Sequence, residues 1–147
     1  MASVAALVMD VDGVLTDGTF VWSASGEESK SFSFEDVMGL SRARRAGLKL
    51  GLISGEDSPL VDRFAEKVGI THVSKGCKEK GIALRGFAAS MGIALERIAF
   101  IGDDLVNDYQ PAEAAGMRPV LLSSDSKTAE HGRLQIGRLS DLLPASN

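Results

Sequence analysis

The chain has 147 residues and a mass of 15.5 kDa, the size of one domain built on one core. Hydrophobic residues make up 44% and charged residues 24%, which excludes a disordered or collagen-like chain. Sixteen Lys and Arg against twenty Asp and Glu give a net charge of −4, which argues against nucleic acid as a general partner. A small anionic substrate remains compatible, because it needs only a local positive site. Cys77 is the single cysteine, so the chain holds no internal disulfide and no zinc site built from several thiolates. His72 and His131 form no metal-ligand pair by spacing.

Residues 5–9 are a continuous apolar run ending at Asp10, as expected of a central strand buried on both faces. The run is far shorter than the roughly 20 apolar residues of a membrane span, and no basic residue precedes it as in a signal peptide. The expectation is a soluble, cytoplasmic protein with no membrane partner. Residues 19–22 and 29–34 flank a polar turn containing Gly26. Phe32 and Phe34 alternate with Ser31 and Ser33, so this stretch reads as a β-hairpin flap over about 19–34. Asp36 is placed to cap a helix over residues 37–46, with Gly47 as its stop.

Residues 48–53 give a second strand. Pro59 suits the first turn of a helix running to Val68, which Gly69 ends. A short strand follows at 71–73, then a helix over 78–91 closed by Gly92. Residues 98–101 form another apolar strand, 108–115 a helix ended by Gly116, and 118–122 a last strong strand. Residues 139–143 suggest a short terminal helix and 145–147 a loose end. The alternation of short apolar runs with amphipathic stretches predicts an α/β fold. It would be a single domain over residues 1–147, a doubly wound, mostly parallel Rossmann-like sheet carrying a β-hairpin insertion. Ligands of such sheets bind outside the carboxyl ends of the strands.

Three strands end in small, polar or acidic residues: DVDGVLTDG at 10–18, ISG at 53–55 and IGDD at 101–104. A parallel sheet brings these ends to one edge, so Asp10, Asp12, Asp103 and Asp104 meet in a small volume. Such a cluster calls for a neutralising cation, because like charges repel strongly where water is scarce. Oxygen ligands favour Mg²⁺ over zinc or copper. Bound Mg²⁺ attracts phosphate. Lys80 follows the third strand and offers a positive charge, with Lys75 and Lys78 as alternatives. Ser54 offers a hydroxyl, and the backbone near Gly13 and Gly55 offers amides. Asp10 at the strand tip is placed as a nucleophile toward phosphorus. Asp12 is placed to protonate a leaving oxygen and then to activate water. Thr16 and Asp17 read as loop-shaping residues, and Arg42, Arg44 and Arg45 as a solvated basic face.

These motifs resemble those of the haloacid dehalogenase-like phosphohydrolases. The stretch 10–18 resembles their first motif, Ser54 the second, Lys80 the third, and Gly102, Asp103, Asp104 and Asp108 the fourth, in family order. The resemblance spans about residues 5–122. It implies Asp10 as the phosphorylated nucleophile and Asp12 as the general acid and base. It implies a metal held by Asp10, the Asp12 carbonyl and Asp103, with Asp104 and Asp108 as candidates to support it through water. The stretches between the motifs hold no cap domain. The chain is therefore similar to the capless branch that acts on 3-deoxy-D-manno-octulosonate 8-phosphate and on nonulosonate 9-phosphates. That branch implies a homotetramer in which the hairpins pack together, with Trp22, Phe32 and Phe34 at the interface. It usually carries a basic residue after the second motif, where this chain has Glu56, an acid that would repel a substrate carboxylate. The expected activity is Mg²⁺-dependent hydrolysis of a small phosphorylated metabolite. The alternative is a catalytically silent module of the same fold that serves assembly or regulation.

Overall fold

A computed structural model describes residues 3–123 and 134–143. Strands β1 (Ala6–Asp10), β4 (Lys49–Ile53), β5 (His72–Ser74), β6 (Ile98–Gly102), β7 (Arg118–Leu122) and β8 (Gln135–Ile136) form one sheet of order β5-β4-β1-β6-β7-β8. Every pairing in it is parallel. The doubly wound expectation therefore holds, with β1 at the centre between β4 and β6. Between β1 and β4 the chain inserts only a hairpin and one helix, so no cap domain stands over the sheet there.

Alternation along β1 explains its continuous apolar character. Leu7 and Met9 face one layer, packing with Val37 and Leu40 of α1 (Phe34–Arg45) and Val61, Phe64 and Val68 of α2 (Pro59–Val68). Ala6 and Val8 face the other, with Leu84, Phe87 and Met91 of α3 (Lys80–Met91) and Ala112 of α4 (Gln110–Ala115). A strand covered on both sides must be apolar at every position. Helix α2 follows its local signals: the Ser58 side chain accepts from the Leu60 amide, Pro59 opens the first turn, and Gly69 ends it at a φ of 90°.

Four expectations need correction. The flap is smaller than 19–34: only β2 (Val21–Trp22) and β3 (Glu28–Ser29) pair, antiparallel. Phe34 already belongs to α1, and Phe32 stacks on Phe64 with ring centroids 4.7 Å apart. The aromatic alternation thus reflects packing onto α2 and not strand pairing. Asp36 is not the cap of α1. Ser33 is, accepting from the Asp36 amide at 3.3 Å, and the helix starts three residues earlier than expected. The helix expected at 108–115 begins instead as a π-helical turn at Leu105–Tyr109 that runs into α4, and its cap is Asp104. Arg44 is not purely solvated, because its Nε donates to the Val68 carbonyl at 3.0 Å. Strand β8 was not foreseen. His131 and residues 145–147 lie outside the described residues.

Candidate active site

The register of the sheet assembles the site. Asp10 is level with Ile53, so Ser54 emerges beside it, and Met9 is level with Ile101, so Asp103 follows on the other side. After β1 the chain turns tightly, the amides of Val14, Leu15 and Thr16 all donating to the Val11 carbonyl. Thr16 is buried and its hydroxyl accepts from the amides of Gly13 and Gly18, which confirms it as a loop-shaping residue. Asp17 does the same at the surface by accepting from Thr19, whose bonds hold its carboxyl below the usual range.

Two glycines set the spacing of the acids. Gly13 has a φ of 85°, and a Cβ there would overlap the Asp103 carboxylate. A Cβ on Gly102 would overlap the side chain of Asp108. Both carboxylates therefore lie directly against backbone, a position that any other residue would close.

Asp10, Asp103 and Asp108 bring carboxylate oxygens within 4.8 Å of one another. Asp108 is buried by the π-helical turn, and its Oδ2 accepts from the amides of Asp103 and Asp104, each at 3.1 Å. Lys80, at the first position of α3, ion-pairs with Asp108 and with Asp10 Oδ1, the latter at 3.3 Å. Of the three lysines considered from the sequence, Lys80 is the one that lies against the acid cluster. Lys75 pairs instead with Asp57 and Asp62, and Lys78 donates to the Gly55 carbonyl. Asp104 lies outside the cluster. Its Oδ1 accepts from the amides of Val106 and Asn107, which hold its carboxyl below the ordinary value. Ser54 is buried, and its Oγ accepts from the Glu56 amide at 3.1 Å, which fixes the oxygen and leaves its proton to be donated.

Crowding of acids has its electrostatic consequence. Burial, then the charge of Asp108, pushes Asp10 up to about 7 despite the opposing Lys80. Loss of hydration and the neighbouring Asp108 push Asp103 up to about 6. Burial works against the charge of Lys80, but Asp108 and Asp10 outweigh it and hold the ammonium above its ordinary value. One lysine faces three carboxylates. An all-oxygen donor set with uncompensated negative charge fits a hard divalent cation such as Mg²⁺.

Lys30 is the site residue that the sequence did not reveal. Its ammonium bonds Asp12 Oδ1 at 2.8 Å and Glu56 Oε2 at 3.3 Å. Glu56 is therefore not a bare charge at the mouth of the site. Eighteen residues separate Lys30 from Asp12, and no local pattern marks the pairing. The acid at 56 was the one available hint, since an acid beside other acids asks for a cation. A cleft of about 540 Å³ runs alongside Lys80, with Gly55, Lys78, Arg85 and Asn107 in its walls.

A doubly wound parallel sheet with clustered aspartates and a lysine at its carboxyl edge defines the class of Rossmann-like α/β proteins with an acidic site at the strand ends. The chain belongs to the haloacid dehalogenase-like hydrolase family, whose model matches residues 28–116. It is 36% identical over 111 residues to the 3-deoxy-D-manno-octulosonate 8-phosphate phosphatase of Escherichia coli K12, covering 76% of this chain and 58% of that protein. It is 38% identical over 109 residues to the phosphatase of the same name from Haemophilus influenzae, covering 74% and 59%. The matched stretch thus spans less than two thirds of these relatives. Among solved structures, the Moraxella catarrhalis phosphatase of that name, in complex with magnesium, phosphate and its sugar acid, superposes with a TM-score of 0.79 at 33% identity, covering 91% of this chain and 76% of the other. The cobalt-bound enzyme of Haemophilus influenzae superposes with a TM-score of 0.82 at 31% identity, covering 92% and 79%.

Proposed function

We propose that this chain is a Mg²⁺-dependent phosphatase acting on a small phosphorylated metabolite, a sugar-acid phosphate such as 3-deoxy-D-manno-octulosonate 8-phosphate or a nonulosonate 9-phosphate. The observation that carries the reading is the convergence of Asp10, Asp103, Asp108 and Lys80 at one edge of the sheet. The names of the relatives support the substrate class. Lys30 offsets part of the Glu56 charge, which lessens its repulsion of a substrate carboxylate.

A carboxylate oxygen of Asp10 attacks phosphorus, and the bond to the ester oxygen breaks. Asp12 gives its proton to the departing alcohol. It then takes a proton from the water that attacks the aspartyl phosphate, which releases phosphate and restores Asp10. Lys80 holds negative charge on the transferring group, and the Ser54 hydroxyl and the amides near Gly13 and Gly55 donate to its oxygens. The carboxylates of Asp10 and Asp103 and the carbonyl of Asp12 would hold Mg²⁺, with Asp104 and Asp108 shaping the loop that presents Asp103. When bound, the ion supplies positive charge that offsets the charge of the phosphoryl group.

The proposal extends to a cytoplasmic homotetramer. No helix among the described residues is long and apolar enough to cross a membrane. Val21, Trp22 and Phe34 are 61%, 67% and 75% exposed on and beside the flap, a surface suited to a second copy.

The test is phosphate release from a panel of sugar and sugar-acid phosphates, with Mg²⁺ or EDTA, by wild type and Asp10→Asn. Release that needs the metal and is lost in Asp10→Asn is expected. Release that survives Asp10→Asn overturns the mechanism. Mg²⁺ binding and assembly without turnover on any ester would favour the silent module.

A further inference from the structure

Lys30 sits one residue past β3, at the base of the flap, and its side chain is wholly enclosed. A buried ammonium is costly unless it is paired. This one is paired twice, with Asp12 on the loop after β1 and with Glu56 on the loop after β4. It also lies 4.9 Å from the centroid of the Phe20 ring, which stacks on Trp22 at 5.7 Å and screens the ammonium from water. Burial opposes its charge, but the two carboxylates prevail and hold the ammonium above its ordinary value. Three segments distant in sequence are thus tied at one nitrogen.

The Asp12 carboxyl stands apart from the Asp10, Asp103 and Asp108 cluster. Among the described residues Lys30 is its one hydrogen-bond partner, and it engages a single oxygen, Oδ1. The side chain keeps 28% exposure, so the carboxyl is held at one oxygen by Lys30 while part of it stays open to solvent at the carboxyl edge of the sheet. A free aspartate side chain at a loop would sample several rotamers.

We propose that Lys30 is the positioning residue for Asp12, anchoring one carboxyl oxygen so that the other meets the leaving oxygen of the bound ester. The inference rests on the phosphatase reading and adds to it the flap's part in proton delivery. As the phosphorus–oxygen bond breaks, its electron pair goes to the leaving oxygen, which takes the Asp12 proton. Lys30 keeps its own proton throughout and touches neither phosphate nor alcohol.

Leaving groups separate this role from a structural one. An alkoxide departs poorly without a proton, whereas p-nitrophenolate departs without help. The parameter kcat/KM contains only the steps up to departure of the alcohol, so activation of water does not enter it. The test compares kcat/KM for an alkyl sugar phosphate and for p-nitrophenyl phosphate, with Mg²⁺, in wild type, Lys30→Met, Lys30→Arg and Asp10→Asn. The expected result is that Lys30→Met lowers the alkyl-to-aryl ratio by roughly tenfold or more, a part of the roughly 10²–10⁴-fold that general acid catalysis supplies. Lys30→Arg keeps the charge and moves the ratio back toward wild type. Equal losses on the two esters, no loss at all, or an arginine variant with the ratio of Lys30→Met would each overturn the inference. Asp10→Asn keeps the two readings distinct. If it still releases phosphate from both esters, the phosphatase mechanism itself fails. If it is inactive on both while the ratio in Lys30→Met is unchanged, only the role of Lys30 fails.

Discussion

Gly102 and Asp108 touch across the start of the π-helical turn, the backbone of one against the side chain of the other. The contact lets Asp108 lie within reach of Asp10, Asp103 and Lys80 while accepting two backbone amides. A methyl group at residue 102 would push the carboxyl off both amides. Gly102→Ala is expected to destabilise the fold by about 1–3 kcal/mol through overpacking. It is expected to lower turnover on the order of a hundredfold, as misplacement by about 1 Å does. Thermal unfolding and steady-state kinetics check the two effects together. Full turnover in a folded Gly102→Ala protein would show that Asp108 does not need its present position.

Much of this architecture was legible in the sequence, for a physical reason. Strands β1 and β6 are apolar at nearly every position because both faces are covered, and their ends are acidic because the site lies there. Helix α2 was legible because Pro59 and Gly69 carry local signals at its two ends. What escaped depended on contacts distant along the chain. Phe32 and Phe34 alternate like strand residues, but Phe32 is drawn onto Phe64 and Phe34 opens a helix. The π-helical turn keeps an almost helical periodicity, so the extra residue that turns Asp108 inward leaves no pattern. Lys30 is one lysine among serines until the fold brings Asp12 and Glu56 to it.

The start of α1 offers a direct check on the corrected cap. Ser33 accepts from the Asp36 amide, whereas Asp36 lies inside the first turn. Ser33→Ala is expected to cost about 1 kcal/mol, as loss of an N-cap does. Asp36 is pushed up to about 6 by burial and by the neighbouring Glu35. Asp36→Asn removes a poorly hydrated charge and is expected to cost less than Ser33→Ala at neutral pH. Denaturant titrations of the two variants rank them, and the reverse order would restore Asp36 as the cap.

Lys80 compensates a carboxylate that has no access to water. The Asp108 side chain is 1% exposed and that of Lys80 16%. Lys80→Met leaves Asp108 buried beside two further acids, and a loss on the order of 3 kcal/mol is expected, as when one partner of a buried pair is removed. Removing a cation also deepens the negative potential of the cluster. The variant is therefore expected to bind Mg²⁺ at least as tightly as wild type while losing turnover. Isothermal titration with Mg²⁺ and phosphate-release assays separate the two. Lost Mg²⁺ binding in a folded Lys80→Met protein would mean that Lys80 orders the cluster instead of neutralising it.

The raised values of Asp10 and Asp103 make stability and metal binding depend on pH in opposite directions. Both groups sit near 3.8 when unperturbed and are pushed to about 7 and about 6 in the folded chain. Folded protein therefore keeps protons that the unfolded chain has already released. Their contribution to stability is full below about pH 4 and is lost as pH rises through about 6 to 7. A divalent cation acts oppositely, because it binds the carboxylates only after the protons leave. Stabilisation by excess Mg²⁺ should accordingly be small near about pH 5 and large near about pH 8. Thermal unfolding in Mg²⁺ and in EDTA across this range is the measurement. The gap between the two melting temperatures is expected to widen with pH in wild type and to widen less in Asp10→Asn, which has lost one of the titrating ligands. A gap that stays constant with pH would mean that the cation binds away from Asp10 and Asp103.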